Sequence, residues 1–265
     1  MYINKPNFHK PVRVAKVPDY ETIPNQLYND LYTAINENNN RGALIRVEAG
    51  FYNFGELDIT VSDTIIAFDE GVVVEITIGA IALQTNAILK GNAIFQASNT
   101  ITVPYLLLIG NEQVSAQVEG ITFVSVAGGS SYGGSVVYCI DGAGSVTPNS
   151  NKLVIKGCTM IHQVASGESF PVIRAMDLID IALIDVTIKS NSNGVYMYDS
   201  ASSQTPYMVC NNVIMDLGGT YYLDSENDVE VFAVNTYVTK PMGSTASITE
   251  RITDGLTVEQ YVKAY

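Results

Sequence analysis

The chain is 265 residues long, with 47% hydrophobic and only 15% charged residues, and its formal net charge is −13. That length suits a single all-β domain with a substantial core, and the charge fraction lies below the ~25% usual for globular chains. Lys and Arg total 14 with no basic cluster, which argues against nucleic acid and against an anionic membrane surface as partners, because an acidic chain repels phosphate.

No run approaches the ~20 apolar residues that cross a bilayer; "YLLLIG" (Tyr105 to Gly110) is far too short. The first residues, "MYINKPNFHKPVRV", hold no apolar h-region, so no secretory signal is read and assembly in a cytoplasm is expected. The three cysteines, Cys139, Cys158 and Cys210, are odd in number and widely spaced. They fit neither a disulfide framework nor a zinc knuckle and read as small buried hydrophobes.

Residues 1–21 read as an extended arm, because Pro6, Pro11 and Pro18 interrupt any helix. Such an arm suits docking on a neighbour, or is a loosely packed tail. Residues 22–42 read as a capping helix. Thr22 can cap it, Pro24 suits its first turn, and Leu27, Leu31 and Ile35 make one apolar stripe before "NNNRG" (Asn38 to Gly42) ends it.

From 43 to 245 the sequence is short strands and turns. "SDTII" (Ser62 to Ile66), "TNAIL" (Thr85 to Leu89), "EGITF" (Glu119 to Phe123), "KGCTM" (Lys156 to Met160), "IDVTI" (Ile184 to Ile188), "CNNVI" (Cys210 to Ile214) and "AVNTY" (Ala233 to Tyr237) share one register. Their second positions are Asp63, Asn86, Gly120, Gly157, Asp185, Asn211 and Val234, six of them turn residues. Their fifth positions are all large and apolar: Ile66, Leu89, Phe123, Met160, Ile188, Ile214 and Tyr237. The interval averages about 28 residues, the size of one repeat in a stacked architecture. No helical crossover separates the strands, so the units stack as a parallel β-helix with inward ladders. A β-sandwich also spaces strands closely, but the turn column and the rung-sized interval favour the coil. The longer intervals fall at "VAGGSSYGGS" (Val126 to Ser135) and "DGAGSVTPNS" (Asp141 to Ser150), which read as protruding loops. Residues 246–265 read as a C-terminal cap or tail, in which Thr257 and Gln260 have capping-box spacing. The fold expected is therefore all-β: a single-domain right-handed parallel β-helix with an N-terminal helical cap and an extended arm.

Chemistry is sparse. "RAMDLIDIALID" (Arg174 to Asp185) is the densest carboxylate stretch. Two-carboxylate sugar chemistry needs an acid and a base on one face, which makes Asp177 and Asp180 the fallback catalytic pair beside their plainer reading as solvated surface. Asp185 falls in the turn column. His9 lies in the arm, and His162 has no adjacent nucleophile signature, so it reads as a surface or packing residue. "DSENDVE" (Asp224 to Glu230) carries four carboxylates without the spacing of a calcium loop, so neither a metal nor a cofactor is expected. Sixteen tyrosines and no tryptophan are present. Tyr196, Tyr198, Tyr207, Tyr221 and Tyr222 crowd one region and read as core ladder, subunit interface or glycan contact.

The helix "LYNDLYTAIN", then "RVEAGFYNF", then the rung pattern resemble the pectate-lyase-like superfamily of right-handed β-helices over about residues 24–240. "AGFY" (Ala49 to Tyr52) looks like the "PAGTY" lead-in of those proteins, with Glu48 where Pro is usual. The family's catalytic signatures are absent: the Asn-Thr-Asp, paired Asp, Gly-His-Gly and Arg-Ile-Lys set, and the lyase Arg-x-Pro-x-x-Arg, of which "PVIR" (Pro171 to Arg174) is a partial echo. No catalytic residue is carried over. Proteins of this shape include phage tailspikes and other virion proteins, commonly homotrimers, and secreted polysaccharide lyases and hydrolases. With no signal read, the resemblance implies a non-enzymatic structural or adhesion component of a phage-like virion. It would be homotrimeric, docked to other virion proteins by the arm, and would present a rigid surface for assembly or host-glycan contact. The alternatives are a polysaccharide depolymerase working through Asp177 and Asp180, and a non-catalytic carbohydrate-binding module using the tyrosines.

Overall fold

The computed structural model describes residues 44–243 apart from 55–56, 61, 78–79, 98–104, 110–113, 127–133, 140–150, 166–169, 177–178, 199–205 and 226–228, together with 12–14, 27–28 and 248–252. Among these residues the chain is all strand and turn. Every strand pairing is parallel, and the strands form three sheets of 11, 8 and 7 strands. One turn of the coil shows the rule. Thr64–Phe68 lies in the first sheet, Val72–Ile76 in the second and Ile81–Leu83 in the third, and Ala87–Gly91 then returns to stack on Thr64–Phe68. The fold is a parallel β-helix. At ~4.8 Å per strand the eleven-stranded first sheet runs for about 50 Å.

Alternation decides which side chains fill the coil. Thr64–Phe68 and Val72–Ile76 each run buried, half-buried, buried, half-buried, buried. Because strand side chains have period two, the inward residues of successive turns form ladders. The second sheet stacks Tyr52, Val74, Phe95, Phe123, Met160, Ile188, Met215 and Val238 in register, all buried. Phe68, Phe95 and Phe123 meet edge to face, with ring centroids 5.1 and 5.5 Å apart, the arrangement that ring quadrupoles favour.

The corner between the first and second sheets is two residues long on most turns and needs one left-handed residue. Gly91, Gly120, Gly157, Asp185, Asn212 and Asn235 occupy it, all with positive φ. Glycine carries no Cβ penalty there, and Asp and Asn tolerate the conformation best among the rest. Backbone bonds link consecutive corners: Gly120 N–H donates to Lys156 O, Gly157 to Ile184 O, Asp185 to Asn211 O and Asn212 to Val234 O, each at 2.9 Å.

The structure corrects the sequence alignment at both ends. Gly120, Gly157 and Asp185 do share this corner, as expected. Asp63 and Asn86 instead precede first-sheet strands, and Gly91 holds the equivalent place. At the far end Asn212 and Asn235, not Asn211 and Val234, take the turn. A slip of one residue exchanges the faces of a strand, so the expected inward Ile214 and Tyr237 point outward and are exposed, while Met215 and Val238 face in.

At the N-terminal end Val12–Val14 pairs with Leu44–Val47, and Leu27–Tyr28 pairs with Val12–Val14. Leu27–Tyr28 falls inside the capping helix expected over 22–42 but is extended. The open edge of the first strand offers unpaired N–H and C=O groups, and short helices are marginal without tertiary support, so the edge captures the segment. The remainder of that helix, most of the arm and the Thr257–Gln260 cap lie outside the described residues. At the other end Ile248–Ile252 pairs with Val229–Val234.

Candidate functional site

With the interior filled by apolar ladders, functional chemistry falls on the outward columns. The third sheet carries the most organised one. Leu108, Tyr138, Arg174, Tyr196 and Asp224 are successive neighbours in register. The Arg174 guanidinium carbon lies 5.5 Å from the Tyr138 ring centroid and 6.0 Å from that of Tyr196. The Tyr105 ring continues the strip, 5.1 Å from Tyr138 and tilted by 39°. Both flanking rings are within cation–π range. Each outward residue sits between two inward apolar ones: Val137-Tyr138-Cys139, Ile173-Arg174-Ala175 and Val195-Tyr196-Met197.

Tyr196 was anticipated, whereas Tyr138, Arg174 and Tyr105 were not. They lie one rung apart in space but far apart in sequence, and insertions between them hide the spacing. The recurring apolar-X-apolar triplet was the available signal. Tyr198 pairs in register with Met176. Tyr222 is buried in the core and offers no surface to a partner. Tyr221 is half-buried in a turn, where its backbone N–H donates to Asn193 Oδ1 at 3.1 Å.

A second outward column, on the first sheet, runs Ser115, Lys152, Asp180, Tyr207 and Glu230. Asp180 is 7% exposed, and its Oδ1 accepts the Tyr207 backbone N–H at 3.2 Å. Burial pushes its carboxyl above the ordinary aspartate range, opposed by hydrogen bonds from Tyr207 and by the charge of Lys152. The Asp180 charge in turn raises the exposed Tyr207 phenol. Asp177 lies outside the described residues. The next carboxylate in the column is Glu230, two rungs and so about 10 Å away along the stack. Asp180 therefore has the raised affinity for a proton that suits a general acid, with a lysine and a tyrosine as its immediate neighbours. Further along this sheet a cleft of about 300 Å³ is lined by Asp63, Ile65, Asn86, Ile88, Ser115 and Gln117, among others.

Three further perturbed groups are internal. His162 is fully buried; its Nε2–H donates to Gly134 O at 2.9 Å and its Nδ1 accepts from Ser190 Oγ at 3.0 Å. Ser190 Oγ in turn accepts the Ser192 N–H at 2.9 Å. Burial lowers the imidazole to about 4. Cys139, Cys158 and Cys210 are buried and form no disulfide. Burial raises the Cys139 and Cys158 thiols, Cys158 to about 11, which suppresses the thiolate. Among the described residues no three His, Cys, Asp or Glu side chains converge to hold a metal, and no helix is long and apolar enough to cross a membrane. No known protein family, curated protein or solved structure matches the chain.

Proposed function

We propose that this chain is a non-enzymatic structural or adhesion component of a phage-like virion. In this reading it is a right-handed β-helical rod that assembles as a homotrimer and offers its sides for assembly or host-glycan contact. The observation that carries the assembly part is one outward column of the second sheet. Phe51, Val73, Ile94, Thr122, Thr159, Thr187, Ile214 and Tyr237 stand in register along its full height. Phe51, Ile94, Ile214 and Tyr237 are four of the six exposed large hydrophobic residues among the described positions. Scattered exposed apolar side chains are ordinary, but their alignment in one column, two at each end with Thr122, Thr159 and Thr187 between, supports a contact surface. A three-fold axis parallel to the coil would bring three such faces together. The virion context rests on the resemblance of the sequence, and the arm's docking to other virion proteins belongs with it.

Light scattering on the purified chain tests the assembly. A trimer that dissociates when Phe51 and Ile214 are both changed to Asp is expected. A wild-type species at 28.6 kDa under all conditions, with no affinity for virion proteins, would refute it. A second reading, polysaccharide depolymerase, is favoured by one observation, the raised carboxyl of Asp180 beside Tyr207 and Lys152. It requires wild-type cleavage of the host's surface glycan and its loss in Asp180→Asn; no cleavage by wild type sinks it.

A further inference from the structure

Arg174 is half-buried on the third sheet, flanked by the Tyr138 and Tyr196 rings. A guanidinium has five N–H donors. Among the described residues none of those donors meets a protein acceptor, and no carboxylate lies within ion-pair distance of Arg174. Yet the chain carries 27 acidic residues, and Arg46 is paired with Asp69 at 2.8 Å. A half-buried cation with no counter-charge among the described residues, and flanked by two rings, is preorganised for an external anion: its planar fork loses less freedom on binding than a mobile lysine would.

We propose that the Tyr105–Tyr138–Arg174–Tyr196 strip binds a carboxylated glycan, with Arg174 taking the sugar carboxylate and the tyrosines contacting the adjoining sugar units. The strip spans four consecutive strands, Tyr105–Ile109, Ser135–Cys139, Ile173–Met176 and Val195–Tyr198. At ~4.8 Å per strand that is about 14 Å, with a rung spacing close to the length of one pyranose unit. All four side chains are partly exposed and run in line across the strands, which suits an extended polymer. Its chemistry matches that polymer at both points: the fork pairs bidentately with a carboxylate, and phenols combine an apolar ring with a polar tip. A densely charged polyanion such as nucleic acid is disfavoured by the net charge of −13, whereas a glycan with one carboxylate per sugar or fewer needs only a local cation.

This inference rests on the adhesion half of the function proposed above. It is tested by titration calorimetry of the full chain with oligosialate and oligoglucuronate, using their carboxyl-reduced forms as neutral controls. At least one carboxylated oligosaccharide binds, and binding weakens by roughly tenfold or more on carboxyl reduction and in Arg174→Gln. Arg174→Lys falls between, because it keeps the charge but not the fork. Tyr138→Leu weakens binding while Arg174 remains; unchanged melting temperatures show that each variant is folded. No binding to either carboxylated probe, equal binding by Arg174→Gln, or oligoglutamate binding as tightly as the glycans would each overturn the proposal. The light-scattering mass separates the two proposals. A trimer that binds no carboxylated glycan loses only this one, and a monomer that binds loses only the assembly.

Discussion

Protonating His162 should destabilise the fold, and the size of the effect follows from its surroundings. The ring is sealed in the coil with Nε2–H bonded to Gly134 O and Nδ1 accepting from Ser190. Its register neighbours, Ser125 and Ser190, do not titrate. Burial, partly offset by the Gly134 bond, lowers its pKa from 6.5 to about 4. Between those values the unfolded chain binds a proton that the folded chain does not, so stability is complete above pH 6.5 and falls as pH drops toward 4. At 1.36 kcal/mol per pH unit the full loss is about 3 kcal/mol, a large part of the 5–15 kcal/mol typical of a domain. The assay is urea unfolding of wild type and His162→Gln at several pH values between 4 and 7.5, with equilibrium checked from both directions. Carboxylates titrate in the same range in both proteins and cancel in the difference. The wild-type advantage over His162→Gln should shrink by about 3 kcal/mol from pH 7.5 to 4. Parallel stability curves would refute the reasoning.

Phe123→Ala, in the middle of the aromatic stack, should cost about 3–5 kcal/mol by denaturant unfolding. Met215→Ala should cost about 2–5 kcal/mol, while its outward neighbour Asp216→Ala, exposed, stays within ~0.5 kcal/mol; equal costs would mean that the register is wrong. Gly157→Ala meets a left-handed φ of 61° and only an ordinary contact, 3.9 Å from its Cβ to Gly120 N, and should cost about 1–2 kcal/mol. Gly120→Ala should cost more, because its Cβ would also lie 2.6 Å from Gly91 O. The order of the two melting temperatures checks the corner geometry.

The sequence by itself determined the architecture of this protein. Period-two alternation and turn residues recurring about every 28 positions leave few ways to stack short strands without helices, and both signals are local. They also placed the corner at Gly120, Gly157 and Asp185, where glycine or a short polar side chain is the cheapest occupant of a left-handed backbone. What the sequence left undecided is which residues share a rung. Insertions vary each turn's length, and a one-residue error in register reverses a strand's faces, as it did for Ile214 and Met215. The capture of Leu27–Tyr28 by the open sheet edge was beyond local propensity for a related reason, since hydrogen bonds to a distant strand outweighed a weak helical preference. The candidate sites depended on tertiary structure most of all. Asp180 could be named from its composition, but its burial beside Tyr207 could not. Nothing in the chain's linear order brings Tyr138, Arg174 and Tyr196 together; stacking of consecutive turns ~4.8 Å apart does.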